Sequence, residues 1–570
     1  MRRLAAVVLA AALAPAARAG EDSVLAALRA ELARSTQSLV LQGQERPYFI
    51  SYHAEESKAR EAAASLGSLV SSREVGNHVL TVRVRVGTPA LDNRHVLLGS
   101  LTAADASGSL PLDADAAAIR RRAWLLTDDG YKDALENLAG KKALLETKRP
   151  PDDSPDFSPA DPQQGERDLG PSEGPARNVL EDRARRLSSV FRGYPGVALS
   201  MVRVTEGRQN RRFVSSEGSL LRLSKRFAAL SVQAAASAPD GSIVSDSLSY
   251  EGDDWSDLPP DASIEEDIRR VAARLSASSQ TAVLDGYQGP VLFEGEAAAQ
   301  IVNQVLAPRL LALRRPLTSE EWMERWVAKV LDNPFISRLG QRVLPAFLTV
   351  YDDPGLPPAR GFHGGYPWDE EGTVPRRTTL VKAGILETLL SSRAPVKGVP
   401  RSSGHAGMHG PLPANLVVES AAGVSDGEMR RRLLAEVRKR GLSFGLVVRR
   451  LRDPMADEVR RRLAGEGRGS GEERREREIV WAVKLYPDGR EEAVRSAALV
   501  DLTADNFRDI LAAGRPPAPR TLLFQSPAGE TAVVSLVVPS LLFKDAAARR
   551  STSKTSLPPK LPSPLLDQIP

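Results

Sequence analysis

Two carboxylates, Glu294 and Glu296, stand in the stretch GPVLFEGEAAAQIVNQVLA (residues 289–307), where the apolar run Val291-Leu292-Phe293 gives way to an Ala-rich helical pattern. Carboxylates at such a junction can ligate a hydrolytic metal ion or take a proton from metal-bound water. They can also serve a structural end, because negative charge at the start of a helix stabilises it by about 0.3–1 kcal/mol. His405 and His409, in SGHAGMHGP, are the next candidates. On a helix their spacing would put both imidazoles on one face, but Gly404, Gly407, Gly410 and Pro411 mark a loop. With Glu294 or Glu296 the pair would supply a His/His/carboxylate set. Glu294, Glu296, His405 and His409 are therefore the candidate metal ligands, and the two glutamates the candidate catalytic carboxylates. The plainer alternative is two exposed loop histidines. His363, in the Gly-rich RGFHGGYPWDEEG, ranks below these as a ligand, and His53, His78 and His95 have no ligand-like neighbours.

Other chemistry is sparse. The chain has no Cys, which removes thiolate zinc sites, cysteine nucleophiles and disulfides together. No nucleophile elbow, P-loop or dinucleotide fingerprint stands in a strand-turn-helix context. Asp352-Asp353 and Asp369-Glu370-Glu371 are acidic clusters that read as solvated turns, with a cation or a basic peptide as the sharper alternative. Arg430-Arg431-Arg432, with Arg438, Lys439 and Arg440, reads as the solvent face of a helix.

Bulk composition narrows the setting. A chain of 570 residues implies two or three domains. The net charge of +5 includes three Arg in the first 18 residues; without them 74 basic residues face 72 acidic ones, too even for a nucleic-acid surface. The opening MRRLAAVVLAAALAPAARAG has a basic start, an apolar core and Ala17-Arg18-Ala19 as a cleavage site. It reads as a secretory signal peptide over residues 1–19, so the expected location is periplasmic or extracellular, with no membrane span after cleavage.

The elements that must position the candidates follow from periodicity. Residues 22–35 have helical spacing, and LTVRVRV (80–86) alternates as a half-buried strand. Residues 114–147 read as two helices broken at Thr127-Asp128-Asp129-Gly130, all within an N-terminal α/β region, 20–147. A Pro/Asp-rich linker, 148–178, comes next. Residues 179–288 hold an antiparallel meander turning at Pro239-Asp240-Gly241, then a helix from a Ser263/Glu266 capping box to about Ser276, and complete the N-terminal domain. A C-terminal domain spans 289–545, with helices at 296–313 and 319–331, and residues 546–570 form a disordered tail.

Four blocks of the C-terminal half resemble the TldD/PmbA (TldD/TldE) family of metallopeptidase-related proteins: GPVLFEGEAAAQIVNQVLA; LTVYDDPGLPPARG with WDEEGTVPRRTTLVKAGILETLLSSR; SGHAGMHGPLPANLVVESAAGVSDGEMRRRL; and VKLYPDGREEAVRSAALVDLTADNFRDILAAG followed by VVPSLLF. The resemblance implies a mixed α/β (α+β) two-domain architecture, an N-terminal α/β domain plus a C-terminal mixed-sheet domain, with two subunits around an internal cavity. In the TldD branch it implies a His-Glu-x-x-x-His helix and a later Cys holding zinc for peptide cleavage; the PmbA branch lacks the histidines and acts as partner. Here the matching six residues are Glu294-Gly295-Glu296-Ala297-Ala298-Ala299, so neither histidine is present, and the general base falls on Gly295, or on Glu296 one register away.

The resulting expectation is an exported, catalytically degenerate member. It would be a subunit or scaffold in a homo-oligomer, or in a hetero-oligomer with a TldD-like subunit, whose cavity accepts an unfolded peptide. No cofactor is expected, and zinc only if the Glu/His site is real. Two alternatives stay open: an active metallopeptidase with that rebuilt site, and a cell-envelope binding protein.

Overall fold

The computed structural model describes residues 22–99, 105–113, 115–168, 174–277, 281–453, 477–551, 561 and 564–565. The signal-peptide reading at 1–19, residues 454–476 and most of the expected tail lie outside them.

The N-terminal sheet is built on long antiparallel strands. Pro47–Ser65 pairs with Ser68–Thr88 and with Leu199–Ser215, which pairs in turn with Leu220–Ser237. Strand Ile243–Gly252 flanks Leu220–Ser237 after the turn at Pro239-Asp240-Gly241. Alternating Leu80, Val82, Val84 and Val86 face a core shared with helices Ser23–Ser38 and Ala116–Leu145. The other end of the sheet packs against Arg177–Ser189 and Asp261–Ala277.

Four expectations about helices, linker and tail need correction. Ala116–Leu145 is one helix, not two. Thr127 is buried, its hydroxyl bonded to the Ala123 carbonyl and to Tyr52, and Gly130 packs against Ala106 and Val84. Tertiary packing overrides the weak local propensities of that stretch. The 261–277 helix starts at Asp261, so Ser263 lies inside its first turn and is not its cap. The expected 148–178 linker is packed over residues 156–168: Phe157 is buried under the Arg85 and Arg393 guanidiniums, Asp156 pairs with Lys141 and Arg314, and Gln164–Asp168 joins the sheet edge. At the other end of the chain, Ala546–Arg550 completes strand Leu541–Arg550 and is no part of a tail.

Two sheets make the C-terminal half. In the first, Gly286–Phe293 lies between Gly445–Leu451 and Leu541–Arg550. Arg477–Leu485 pairs with both Gly445–Leu451 and Ala497–Val500, and the latter pairs with Leu541–Arg550, closing a five-strand ring. The second sheet runs Ile385–Leu386, Thr378–Lys382, Leu348–Asp352, Asn415–Ser420, Thr531–Val537, Arg520–Gln525. One apolar core, including Phe293, Leu390, Phe507 and Phe543, fills the space between them. No helix among the described residues is long and apolar enough to cross a membrane.

The acidic turn 368–372 joins the halves and is not solvated. Asp369 and Glu371 are only 7% and 9% exposed. Glu370 meets His53 and Arg211, while Glu371 meets Arg83 and accepts the Arg393 amide. Trp368 lies on Gly165, where a Cβ would come within 2.5 Å of the indole. Asp352 is likewise fully buried.

Candidate functional site

A cavity of about 720 Å³ lies between the two halves of the molecule. Strand Ile243–Gly252 and helix Asp261–Ala277 wall one side. The Glu294-Gly295-Glu296 turn, Arg430, Arg449, Arg450 and Trp481 wall the other. The volume is within the usual range of a ligand pocket.

The turn is fixed by its backbone. The Glu294 N–H donates to the Val448 carbonyl at 2.9 Å, and Gly295 has φ 56°, ψ −123°, a conformation open to glycine and strained for other residues. Helix Glu296–Ile301 follows, then a π turn, Val302–Leu306, and a 3₁₀ turn ending at Leu310. The continuous helix expected to 313 is therefore short and irregular.

Both candidate carboxylates are engaged by guanidiniums. Arg430 forks onto Glu294, Nε to Oε1 at 2.9 Å and Nη2 to Oε2 at 3.1 Å, and Arg449 Nε reaches Oε2 at 3.3 Å. Arg450 Nη2 donates to Glu296 Oε2 at 2.9 Å and Nη1 to Asp246 at 2.9 Å, while Gln300 donates to Glu296 Oε1 at 3.0 Å. The Glu294 bond raises the Arg430 pKa above its ordinary value. Trp481 sits beneath Arg274 and Arg449, with guanidinium-to-ring distances of 4.7 and 5.1 Å. Arg430 thus turns inward from a run expected to face solvent, whereas Arg431 and Arg432 pair with Glu428 on the surface.

The histidines do not join this site. His405 is fully buried on the second sheet, its Nε2 at 3.0 Å from Asp352 Oδ1 and its Nδ1 at 3.0 Å from Ser403 Oγ. The Ser403-His405-Asp352 connectivity resembles a catalytic triad. Ser403 is itself buried and bonded to Ser391, and none of the three lines the cavity, so the trio braces the fold. Asp352 also accepts the Ala414 N–H at 3.0 Å. His409 is exposed, its N–H on Glu530. The structure therefore does not assemble Glu294, Glu296, His405 and His409 into a metal-binding group. Among the described residues, the group with metal-like spacing is Asp253, Asp257 and His363.

The residues that sequence reasoning missed are Arg449, Arg450 and Trp481. Their signal was faint: Arg449-Arg450 ends the apolar run GLVV, and Trp481 stands between the aliphatic pairs Ile479-Val480 and Ala482-Val483.

The fold is that of a mixed α/β protein, and comparison with known proteins relates its C-terminal part to metallopeptidases. Residues 287–457 match the family model described as the PmbA/TldA metallopeptidase C-terminal domain. Metalloprotease MJ0996 of Methanocaldococcus jannaschii is 39% identical over 62 residues, 11% of this chain and 13% of that protein's length. Among solved structures, TM0727 of Thermotoga maritima, a proposed modulator of DNA gyrase, is 15% identical with a TM-score of 0.58, over 88% of this chain and 96% of its own. TldE of Thermococcus kodakarensis is 12% identical with a TM-score of 0.53, over 88% and 96%. BT3649 of Bacteroides thetaiotaomicron, another proposed gyrase modulator, is 12% identical with a TM-score of 0.56, over 92% and 98%. These likenesses establish the two-domain fold. The family-model match places residues 287–457 with the C-terminal domain of the TldD/PmbA family.

The zinc that the resemblance implies does not fit the helix entrance. A hydrolytic zinc needs three protein donors and an open position. Here the carboxylates at the turn are held by arginines, and among the described residues the cavity lining holds no imidazole; the chain has no thiol.

Proposed function

We propose that this protein is a non-catalytic member of the TldD/PmbA family, exported from the cytoplasm, that accepts an unfolded peptide segment in its cavity. It acts as a subunit of a homo-oligomer or beside a TldD-like partner. The observation that carries the reading is the arginine occupancy of Glu294 and Glu296. A carboxylate forked by a guanidinium at 2.9 and 3.1 Å is a poor metal ligand and a poor general base, because its lone pairs and its charge are already committed. The lining is consistent with an extended peptide rather than a single small charged ligand: beside Trp481 and the paired groups it includes Ser247, Ser249, Tyr250, Thr521 and Asp426. The family's peptide chemistry supports the substrate class, and the basic, apolar, small-residue opening of the chain supports export.

The test pairs binding with turnover. Mature protein is mixed with a fluorescent unfolded peptide; anisotropy reads binding and mass spectrometry reads cleavage. Saturable binding that Trp481→Ala weakens at least tenfold, with the peptide intact, is the expected result. Cleavage that persists through purification and is lost on Glu294→Gln would overturn the reading.

A further inference from the structure

We propose that Asp253, Asp257 and His363 form a divalent transition-metal site, suited to Zn²⁺, that fastens the N-terminal sheet to the second C-terminal sheet beside the cavity. The three offer donor atoms all within 4.8 Å of one another. His363 Nδ1 is already 3.1 Å from Asp253 Oδ2. Bonds of about 2.0–2.2 Å to a tetrahedral ion place neighbouring donors about 3.4 Å apart, so closing the set requires movement of little more than about 1 Å. One imidazole and two carboxylates are a fitting donor set for zinc, and three protein ligands leave a fourth position open.

Each ligand is held by its own segment before any ion arrives. Asp257 ends the 3₁₀ turn Trp255–Asp257, where its Oδ2 accepts the Asp254 N–H at 2.9 Å. Gly252 allows that turn to fold tightly, since a Cβ there would lie 2.6 Å from the Asp257 Cβ. On the opposite side, the His363 N–H donates to Ser535 Oγ at 2.8 Å and the Gly364 N–H to Asn415 Oδ1 at 3.2 Å. A Cβ at Gly364 would lie 2.0 Å from the Ala414 carbonyl oxygen, so only glycine lets this loop lie flat on the sheet. The second C-terminal sheet thus delivers the imidazole to a turn of the N-terminal sheet. A simple ion pair with His363 needs Asp253 alone; Asp257 brings a second carboxylate to the same imidazole. Asp257 also belongs to the cavity wall, so the ion would border the cavity without using the helix entrance at 294–299.

Metal titration decides the matter. Chelator-dialysed mature protein is titrated with ZnCl₂ by calorimetry, and bound metal is counted by mass spectrometry. One equivalent is expected, with affinity at least tenfold lower in His363→Ala and in Asp257→Asn. Asp257→Asn sits on an exposed turn and keeps an oxygen for the Asp254 amide, so it tests the site even if the histidine variant fails to fold. Glu294→Gln should bind zinc as the wild type does. Absence of saturable uptake, or equal affinity in Asp257→Asn, overturns the proposal, as does uptake lost in Glu294→Gln but kept in Asp257→Asn. Peptide cleavage by the zinc-loaded protein would sink the non-catalytic reading and leave this site standing; failure to bind zinc would do the reverse.

Discussion

Arg430 and Glu294, 136 residues apart in the chain, meet in a two-bond fork at the start of the Glu296–Ile301 helix. The pair occupies the place where the family's active branch is expected to hold its metal, and it sets the first prediction. Arg430→Ala leaves a largely buried carboxylate with only Arg449 for company. Stability in urea should fall by about 1–3 kcal/mol, the usual cost of stripping a hydrogen-bonded partner from a charged group. The double variant Arg430→Ala/Glu294→Gln should recover part of the loss.

His405→Ala should cost more, about 3 kcal/mol or above, because Asp352 is fully buried and would keep only backbone amides. Thermal unfolding measures this. Zinc content should not change, which separates a bracing histidine from a ligand.

Gly295→Ala isolates backbone strain. A Cβ at this position meets nothing within 4 Å, so any loss arises from φ 56° alone. Chemical denaturation should show about 1–3 kcal/mol.

Asp369 gives a pH signature. Burial, with Glu371 beside it, pushes its carboxyl up to about 7, against the pull of three backbone amides. An acid whose folded pKa is raised favours the protonated folded state. Its contribution is therefore complete below about 4 and is lost as pH rises through about 7. Wild type should lose stability relative to Asp369→Asn with a slope of up to about 1.4 kcal/mol per pH unit across that window. A difference flat with pH would contradict the assignment.

Much of the fold was legible because its signals are local. Alternation at 80–86, the turn at 239–241 and the junction at Phe293 each lie in strands or turns where the periodicity places them. What escaped depends on partners far away in sequence. Asp352 and Asp369-Glu370-Glu371 looked like solvated turns because His405, Arg83, Arg211 and His53 are distant along the chain. The 148–178 stretch has the composition of a linker, yet Phe157 finds Tyr48 and Phe49 and two guanidiniums to pack under. At the candidate site, the missing histidines were visible in the sequence, but the arginines standing against the glutamates were not, since they arrive on a helix and a strand more than 130 residues on. His363 was ranked low because Asp253 and Asp257 belong to the other half of the molecule.

The 368–372 turn has a mechanical consequence. Its carboxylates are buried against cations of the N-terminal sheet, and its indole is wedged on a sheet-edge glycine, so swinging the halves apart would strand several charges without counterions. The turn therefore acts as a clasp: it holds the two cavity walls at one separation, and prising them apart carries that electrostatic cost.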